Sequence, residues 1–399
     1  MIPIHIECRI QEKDREIVGL LVIDSFIAHH SSGGVRMAED VTAEELRLLA
    51  RNMTLKFGLL GIPLGGAKAG ILFDPDAPLE ERRQALSAFG KAIAPFIRQR
   101  AYSPGPDIGV DIADVQVMLE AACRKKTKRP LPPGRSQYYT ALTVFVSAER
   151  AARFKGIGMN GALVAVEGFG RIGSSLAKIY EKHGAKIVAI SNHKGALFNQ
   201  NGLNVDHLIR EYEQKGHSFI LDYREADKIA NDQLLTLDVD ILSPCARHHT
   251  ITAANVKDIR AKMICAGANV PVDQRAKDFL FERSVLYVPD FVTNCGGVLG
   301  SFLEVSGVRF QNVCSLIPKL IGPKVDEIIL FSKAQNIPTA DYAAEKALEK
   351  HRRLKRSAER RGLSRMRLSP SFARAVRTLL PSSWSGKLGI LYFQKSLSR

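Results

Sequence analysis

The stretch from Gly161 to Ser191 leaves this chain few folds to choose from. Gly161-Ala-Leu-Val-Ala-Val-Glu is an apolar run that leads directly into Gly168-Phe-Gly170-Arg-Ile-Gly173, a GxGxxG turn. A helical pattern follows, and then a second apolar run, Lys186-Ile-Val-Ala-Ile-Ser191. A bare GxGxxG arises by chance in many glycine-rich loops. Flanked by strand, helix and strand, it predicts a parallel βαβ unit whose glycines let a pyrophosphate approach the backbone. The helix N-terminus then favours the phosphate charge. Gly168, Gly170, Arg171, Ile172 and Gly173 are therefore the expected cofactor contacts, in a Rossmann-type domain binding NAD or NADP.

Such a domain often ends its second strand in an acid that holds the ribose 2′-hydroxyl. Here the strand ends in Asn192, followed by His193 and Lys194. A neutral amide beside a lysine does not repel a 2′-phosphate, so acceptance of NADP is expected. Further apolar runs at 239–243, 263–266 and 286–288 lead into Pro244-Cys-Ala246-Arg, Gly267-Ala-Asn269 and Asn294-Cys-Gly-Gly. Ligands of open α/β sheets collect at the carboxyl ends of strands, which is where these loops fall; Ala246 and Asn269 are expected at the cofactor and Asn294 at the substrate, although each asparagine taken alone also suits a structural turn.

A second region carries chemistry of its own. Residues 51–75 hold two lysines, Lys56 and Lys68, in an otherwise apolar, glycine-rich segment after Arg51. Leu46, Leu49, Met53, Phe57 and Leu60 recur at helical period, with Lys56 at the edge of their stripe; Asp40 or Thr42 can cap the start, and Thr42 with Glu45 has capping-box spacing. Pro63 and Gly65-Gly66 then force a turn, and Lys68 emerges among residues with little side chain. Burial in such a place disfavours the charged amine and lowers its pKa.

Gly33-Gly34-Val-Arg36-Met, the Lys56 helix, Pro63-Leu-Gly-Gly-Ala-Lys68 and Pro104-Gly-Pro-Asp107-Ile-Gly109 stand in this order. In order and spacing they resemble the glutamate/leucine/phenylalanine/valine dehydrogenase family, from about residue 18 to about residue 361. The resemblance implies oxidative deamination of an L-amino acid with NAD or NADP. It implies Lys68 and Asp107 as the catalytic pair, Lys56 on the substrate α-carboxylate, Gly34 beside it, and Thr140 near the nicotinamide amide. Selectivity is where the match is mixed: Ser32 stands where glutamate-specific members have a lysine, whereas Ser301 matches a serine that helps them bind glutamate. Both serines are expected at the substrate. A homo-oligomer, with a hexamer as one form, is also implied.

Composition adds bounds. At 399 residues there is room for two domains. The expected class is α/β: an N-terminal α/β substrate and oligomerisation domain over 1–134, then a Rossmann-type dinucleotide-binding domain over 135–300. Helices over 301–361 are expected to pack back on the first domain, and 362–399 is a basic tail. The net charge is +16, yet residues 346–399 hold 15 Lys/Arg and 2 Asp/Glu, so most of the excess sits at the C-terminal end. That tail keeps open an alternative of another class, a non-catalytic nucleotide-binding relative that contacts nucleic acid. The six cysteines show neither metal-ligand nor disulfide-framework spacing, so no metal is expected. With no basic start and apolar core at the N-terminus, a cytoplasmic location is expected.

Overall fold

The computed structural model describes residues 3–12, 15–125, 135–360 and 382–397. It falls into two compact units: 1–134 with 346–378, and 135–345 with 379–399. Of the basic tail expected over 362–399, residues 362–381 and 398–399 lie outside the described residues.

The first unit is built on a five-stranded sheet. Its strands are β1 (Ile4–Glu12), β2 (Arg15–Ile23), β3 (Ser31–Met37), β4 (Gly65–Leu72) and β5 (Ser103–Pro106), in the order β1-β2-β4-β3-β5. β3 runs parallel to both β4 and β5, while β1, β2 and β4 alternate in direction. Alternation along a strand gives the sheet two faces. Val35, Met37, Ala67, Ala69 and Ile71 enter a core shared with Leu86, Phe89 and Met118. These last come from two helices, α1 being reserved for the opposite face: α1 spans Ala43–Leu60, α2 Leu79–Ala92 and α3 Ile112–Cys123. Gly70, on the other face, meets Val41 and Leu46, so α1 lies on the side of Gly66, Lys68 and Gly70. Thr42 caps α1 by accepting the Glu45 N–H, as the spacing predicts.

The second unit holds a seven-stranded sheet. Its strands are β6 (Leu163–Glu167), β7 (Lys186–Asn192), β8 (Gly195–Phe198), β9 (Asp227–Ile229), β10 (Ile241–Pro244), β11 (Met263–Cys265) and β12 (Leu286–Val288). The order is β12-β11-β10-β6-β7-β8-β9; the first five are parallel and the last two pair antiparallel. β6 therefore has its successor β7 on one side and β10 on the other. This reversal of strand order opens a crevice at the carboxyl ends of β6 and β10. Helix α4 (Ser136–Phe154) precedes β6 and α5 (Arg171–Lys182) follows it.

Helices α6 (Gly296–Val305) and α7 (Phe310–Gln335) differ from the sequence expectation: both group with the second unit, because α7 packs along α4 and α6 packs on the same helix. Only from Lys346, within α8 (Thr339–Arg360), does the chain group with the first unit. There Gly58 meets the Ala347 backbone, and His351 lies within hydrogen-bond distance of Leu64 O, at 3.2 Å. The tail also departs from a bare basic extension. Its helix α9 (Ser382–Leu397) packs against α6 and α7 and buries Phe393 and Leu397. No helix among the described residues is long and apolar enough to cross a membrane.

Candidate active site

In the first unit, Lys68 on β4 is 3% exposed and donates to Asp107 Oδ1 at 2.9 Å. Asp107 sits in the turn after β5, where Asp107 and Val110 pair their backbones. Its other oxygen, Oδ2, accepts from Arg36 Nε at 2.9 Å. Arg36, on β3, also pairs with Glu45 of α1, and both side chains are 4% exposed. Two cations and two anions thus form one buried chain: Lys68, Asp107, Arg36, Glu45.

Burial and charge together shift Lys68 and Asp107. Burial lowers the Lys68 pKa, and Arg36 pushes the same way against the opposing pull of Asp107; the net shift is down. Burial alone would raise Asp107, but the Lys68 ammonium and the Arg36 guanidinium outweigh it and hold the carboxyl at about 2. Close by, Tyr102 donates to Gly33 O at 3.0 Å. Burial, and then the Asp107 carboxylate, push its phenol far above the ordinary value, so it stays protonated.

Gly34 explains why the strand has no side chain here. A Cβ at that position would lie 2.9 Å from Asp107 Cβ and 3.3 Å from Lys68 Nζ. Lys56, at the edge of the apolar stripe, is buried on α1. Ser32, next along β3, directs its hydroxyl at Ser103 O, 2.9 Å away.

The second unit places its own expected residues at one edge of the sheet. Gly168 N–H donates to Ser191 Oγ at 3.2 Å, tying the glycine loop to β7. At Gly173 a Cβ would come within 2.0 Å of Gly168 O, so only glycine lets α5 start this close to the loop. No side chain caps α5, whose N-cap is Gly170. Its first-turn N–H groups are thereby open to an anion. A cavity of about 410 Å³ lies beside this turn, lined by Arg135, Arg171, Ser174 and Tyr212 among others.

Comparison with known proteins decides the family. The model for "Glutamate/Leucine/Phenylalanine/Valine dehydrogenase" matches residues 134–315, and that for "Glu/Leu/Phe/Val dehydrogenase, dimerisation domain" matches residues 4–124. The chain belongs to the glutamate/leucine/phenylalanine/valine dehydrogenase family. An NAD-specific glutamate dehydrogenase of Staphylococcus aureus is 36% identical over 286 residues, 69% of this chain and 68% of the relative. Among solved structures, a hetero-hexameric glutamate dehydrogenase from Thermus thermophilus in its Leu-bound form superposes with a TM-score of 0.77 at 23% identity, covering 90% of this chain and 89% of that one. L-tryptophan dehydrogenase from Nostoc punctiforme gives 0.60 at 23%, covering 88% and 96%. These two likenesses concern the fold. With its family, the chain is an NAD(P)-dependent amino-acid dehydrogenase acting on the CH–NH2 group.

The remaining residues expected at the dehydrogenase's ligands stand in the second unit. Asn294 is 4% exposed and donates through Nδ2 to Ala268 O at 2.9 Å and to Asn269 Oδ1 at 3.1 Å. Its Oδ1 is buried and has no partner among the described residues, which leaves an acceptor for a carboxamide or amino N–H. Thr140 lies against Gly297 and donates to Ser136 O. Ile172 meets Gly267. Ser301 stands half-buried on α6.

Two expected cofactor contacts turn out otherwise engaged. Ala246 gives its N–H to Glu167 Oε2 at 3.3 Å. The Asn192 amide accepts from Lys194 N at 2.7 Å and donates to His217 O at 2.8 Å, so it holds the turn while Lys194 stays exposed. Arg36, Glu45, Tyr102 and Glu167 are residues that reading the sequence for sites missed. Arg36 had a signal: a charged residue one strand-period after Gly34 shares its face.

Proposed function

We propose that the chain catalyses reversible oxidative deamination of an L-amino acid: amino acid, water and NAD(P)⁺ give the 2-oxo acid, ammonium, NAD(P)H and a proton. The observation that carries this reading is the buried Lys68–Asp107 ion pair, whose amine is shifted toward its neutral form. A nicotinamide held at the glycine loop would supply the acceptor for the hydride that leaves Cα. Lys68, neutral, takes a proton from the water that attacks the imino carbon. Asp107, held ionised by Arg36 and by Lys68 once that amine is protonated, moves protons to and from the departing nitrogen. Lys56 holds the α-carboxylate, and Gly34, which has no side chain, lets Asp107 and Lys68 Nζ close on the strand beside the substrate. Thr140 and Asn294 orient the carboxamide and the amino group. We further propose a homo-oligomer, in keeping with the dimerisation-domain match, and, separately, a cytoplasmic location.

The substrate turns on Ser32. A glutamate side chain brings a second carboxylate that must be desolvated, which is costly unless donors replace its water. Ser32 already directs its hydroxyl hydrogen at Ser103 O. Ser301 offers one neutral donor, and charge-assisted bonds are about twice as strong as neutral ones. Glutamate therefore binds weakly, and uncharged amino acids of similar length compete with it. The test is kcat/KM for glutamate against leucine and methionine in the wild type and in Ser32→Lys. The variant is expected to raise the glutamate preference by roughly tenfold or more. A wild type with micromolar KM for glutamate and no activity on apolar amino acids would show that another cation fills the role.

The dinucleotide turns on the end of β7. No acid stands there, and Lys194 is exposed beside it, so NADP is used at least as readily as NAD. Asn192→Asp is expected to move the kcat/KM ratio toward NAD by repelling the 2′-phosphate. Strict NAD use before mutation refutes this part of the reading.

A further inference from the structure

One acid at the carboxyl end of the second sheet has no part in the deamination chemistry. Glu167 is the last residue of β6, directly before Gly168, on the strand where the order reverses. Its side chain reaches the loop after β10 and accepts Ala246 N–H at 3.3 Å, while its backbone oxygen accepts Cys245 N–H at 2.6 Å. Gly168 is packed on the same residue: a Cβ there would lie 2.6 Å from Ala246 N. The carboxyl is thus built into the wall where the glycine loop and the β10 loop meet.

No cation compensates it. Among the described residues no Lys, Arg or His forms an ion pair with Glu167, and burial lifts its pKa to about 7 against the two backbone donors. The loop after β10 presents Cys245, whose thiol is held up at about 12 by burial and then by the Glu167 charge, followed by Arg247. β7 presents the neutral Ser191 and Asn192, with His193 and Lys194 exposed beyond them. α5 begins with Arg171, also exposed. In its ionised form Glu167 puts a negative charge into the loop that receives the dinucleotide phosphates.

We propose that Glu167 is a positioning residue whose protonated form favours the seating of the dinucleotide, so that cofactor binding takes up a proton at this carboxyl. As a neutral acid it keeps its clasp on Ala246 through an acceptor oxygen and sets no like charge against the phosphates. As a carboxylate it opposes them in a crevice where water is displaced. The proposal rests on the dinucleotide site at the β6–β10 crevice and not on which amino acid is the substrate.

The test is NADH binding to the full chain, followed by fluorescence from about pH 6 to about pH 9; NADH has no group of its own titrating there. The wild type is expected to bind about tenfold more weakly at the alkaline end, as a shift of one pKa unit on binding requires. Glu167→Gln, which keeps an acceptor for Ala246 N–H, should bind across the range as tightly as the wild type does at pH 6. Calorimetry in two buffers of different ionisation heat should show a fraction of a proton taken up per NADH near pH 7–8, and none in the variant. An unchanged pH slope or unchanged proton uptake in Glu167→Gln overturns the proposal. So does a variant that binds at pH 6 as weakly as the wild type does at pH 9, since the carboxyl would then be a structural clasp alone. Should the variant not fold, wild-type calorimetry decides: uptake centred at pH 7–8 supports the proposal and zero uptake overturns it.

Discussion

Lys68→Ala is expected to cut turnover by roughly 10²–10⁴ while NAD(P)H binding is kept, the usual scale for losing general acid–base help. The size follows from where the amine stands. It is buried, shifted toward neutrality, and paired with a carboxylate that stays ionised. Water brought in by the truncation is a far poorer base and is not aligned by Asp107. Because the lysine belongs to the first unit and the glycine loop to the second, dinucleotide affinity should change by no more than a few-fold. Steady-state kinetics with a parallel binding titration separates the two effects. A variant with near-normal turnover would remove Lys68 from the mechanism.

Arg36→Met is the second large effect, and it acts on both stability and pH. Arg36 lies between Asp107 and Glu45, with the Arg36 and Glu45 side chains 4% exposed and that of Asp107 14%. Removing the shared cation leaves two acids short of a partner in a buried place. Breaking a buried ion pair from one side typically costs about 3–5 kcal/mol. Denaturant unfolding at neutral pH should show a loss on that scale, and a loss under about 1 kcal/mol would mean that water reaches the cluster. The pH arm has a definite sign. Arg36 pushes the Lys68 pKa down, so its removal lets that pKa rise. A base that works in its neutral form then needs more alkaline solution, and the rise of kcat/KM with pH should move to higher pH. Movement in the acid direction would contradict the charge chain.

How much of this was open to reading from the sequence depends on the range of each interaction. The GxGxxG unit was legible because strand, turn and helix are consecutive, and the reason for Gly173 lies five residues away at Gly168 O. The burial of Lys56 and Lys68 was legible from apolar spacing and glycines. Their partner set was not. Asp107 meets Arg36 across 71 positions of sequence, and only the pairing of β3 with both β4 and β5 brings them together. Glu167 left a faint local mark, an acid closing an otherwise apolar strand, but its lack of a cation shows only when β10 is laid beside β6. The placement of α7 failed for a related reason: an amphipathic helix states that it packs, and not on which domain.

The central claim is that the Lys68–Asp107 pair makes this chain a dehydrogenase that deaminates L-amino acids. The most direct measurement is product stoichiometry from purified wild-type protein with a panel of L-amino acids and NAD or NADP. Reduced dinucleotide, ammonia and 2-oxo acid should form in equal amounts for at least one amino acid, leucine or methionine before glutamate, and Lys68→Ala should suppress all three together. Reduced dinucleotide without ammonia, or no product from any amino acid while the dinucleotide still binds, would contradict it.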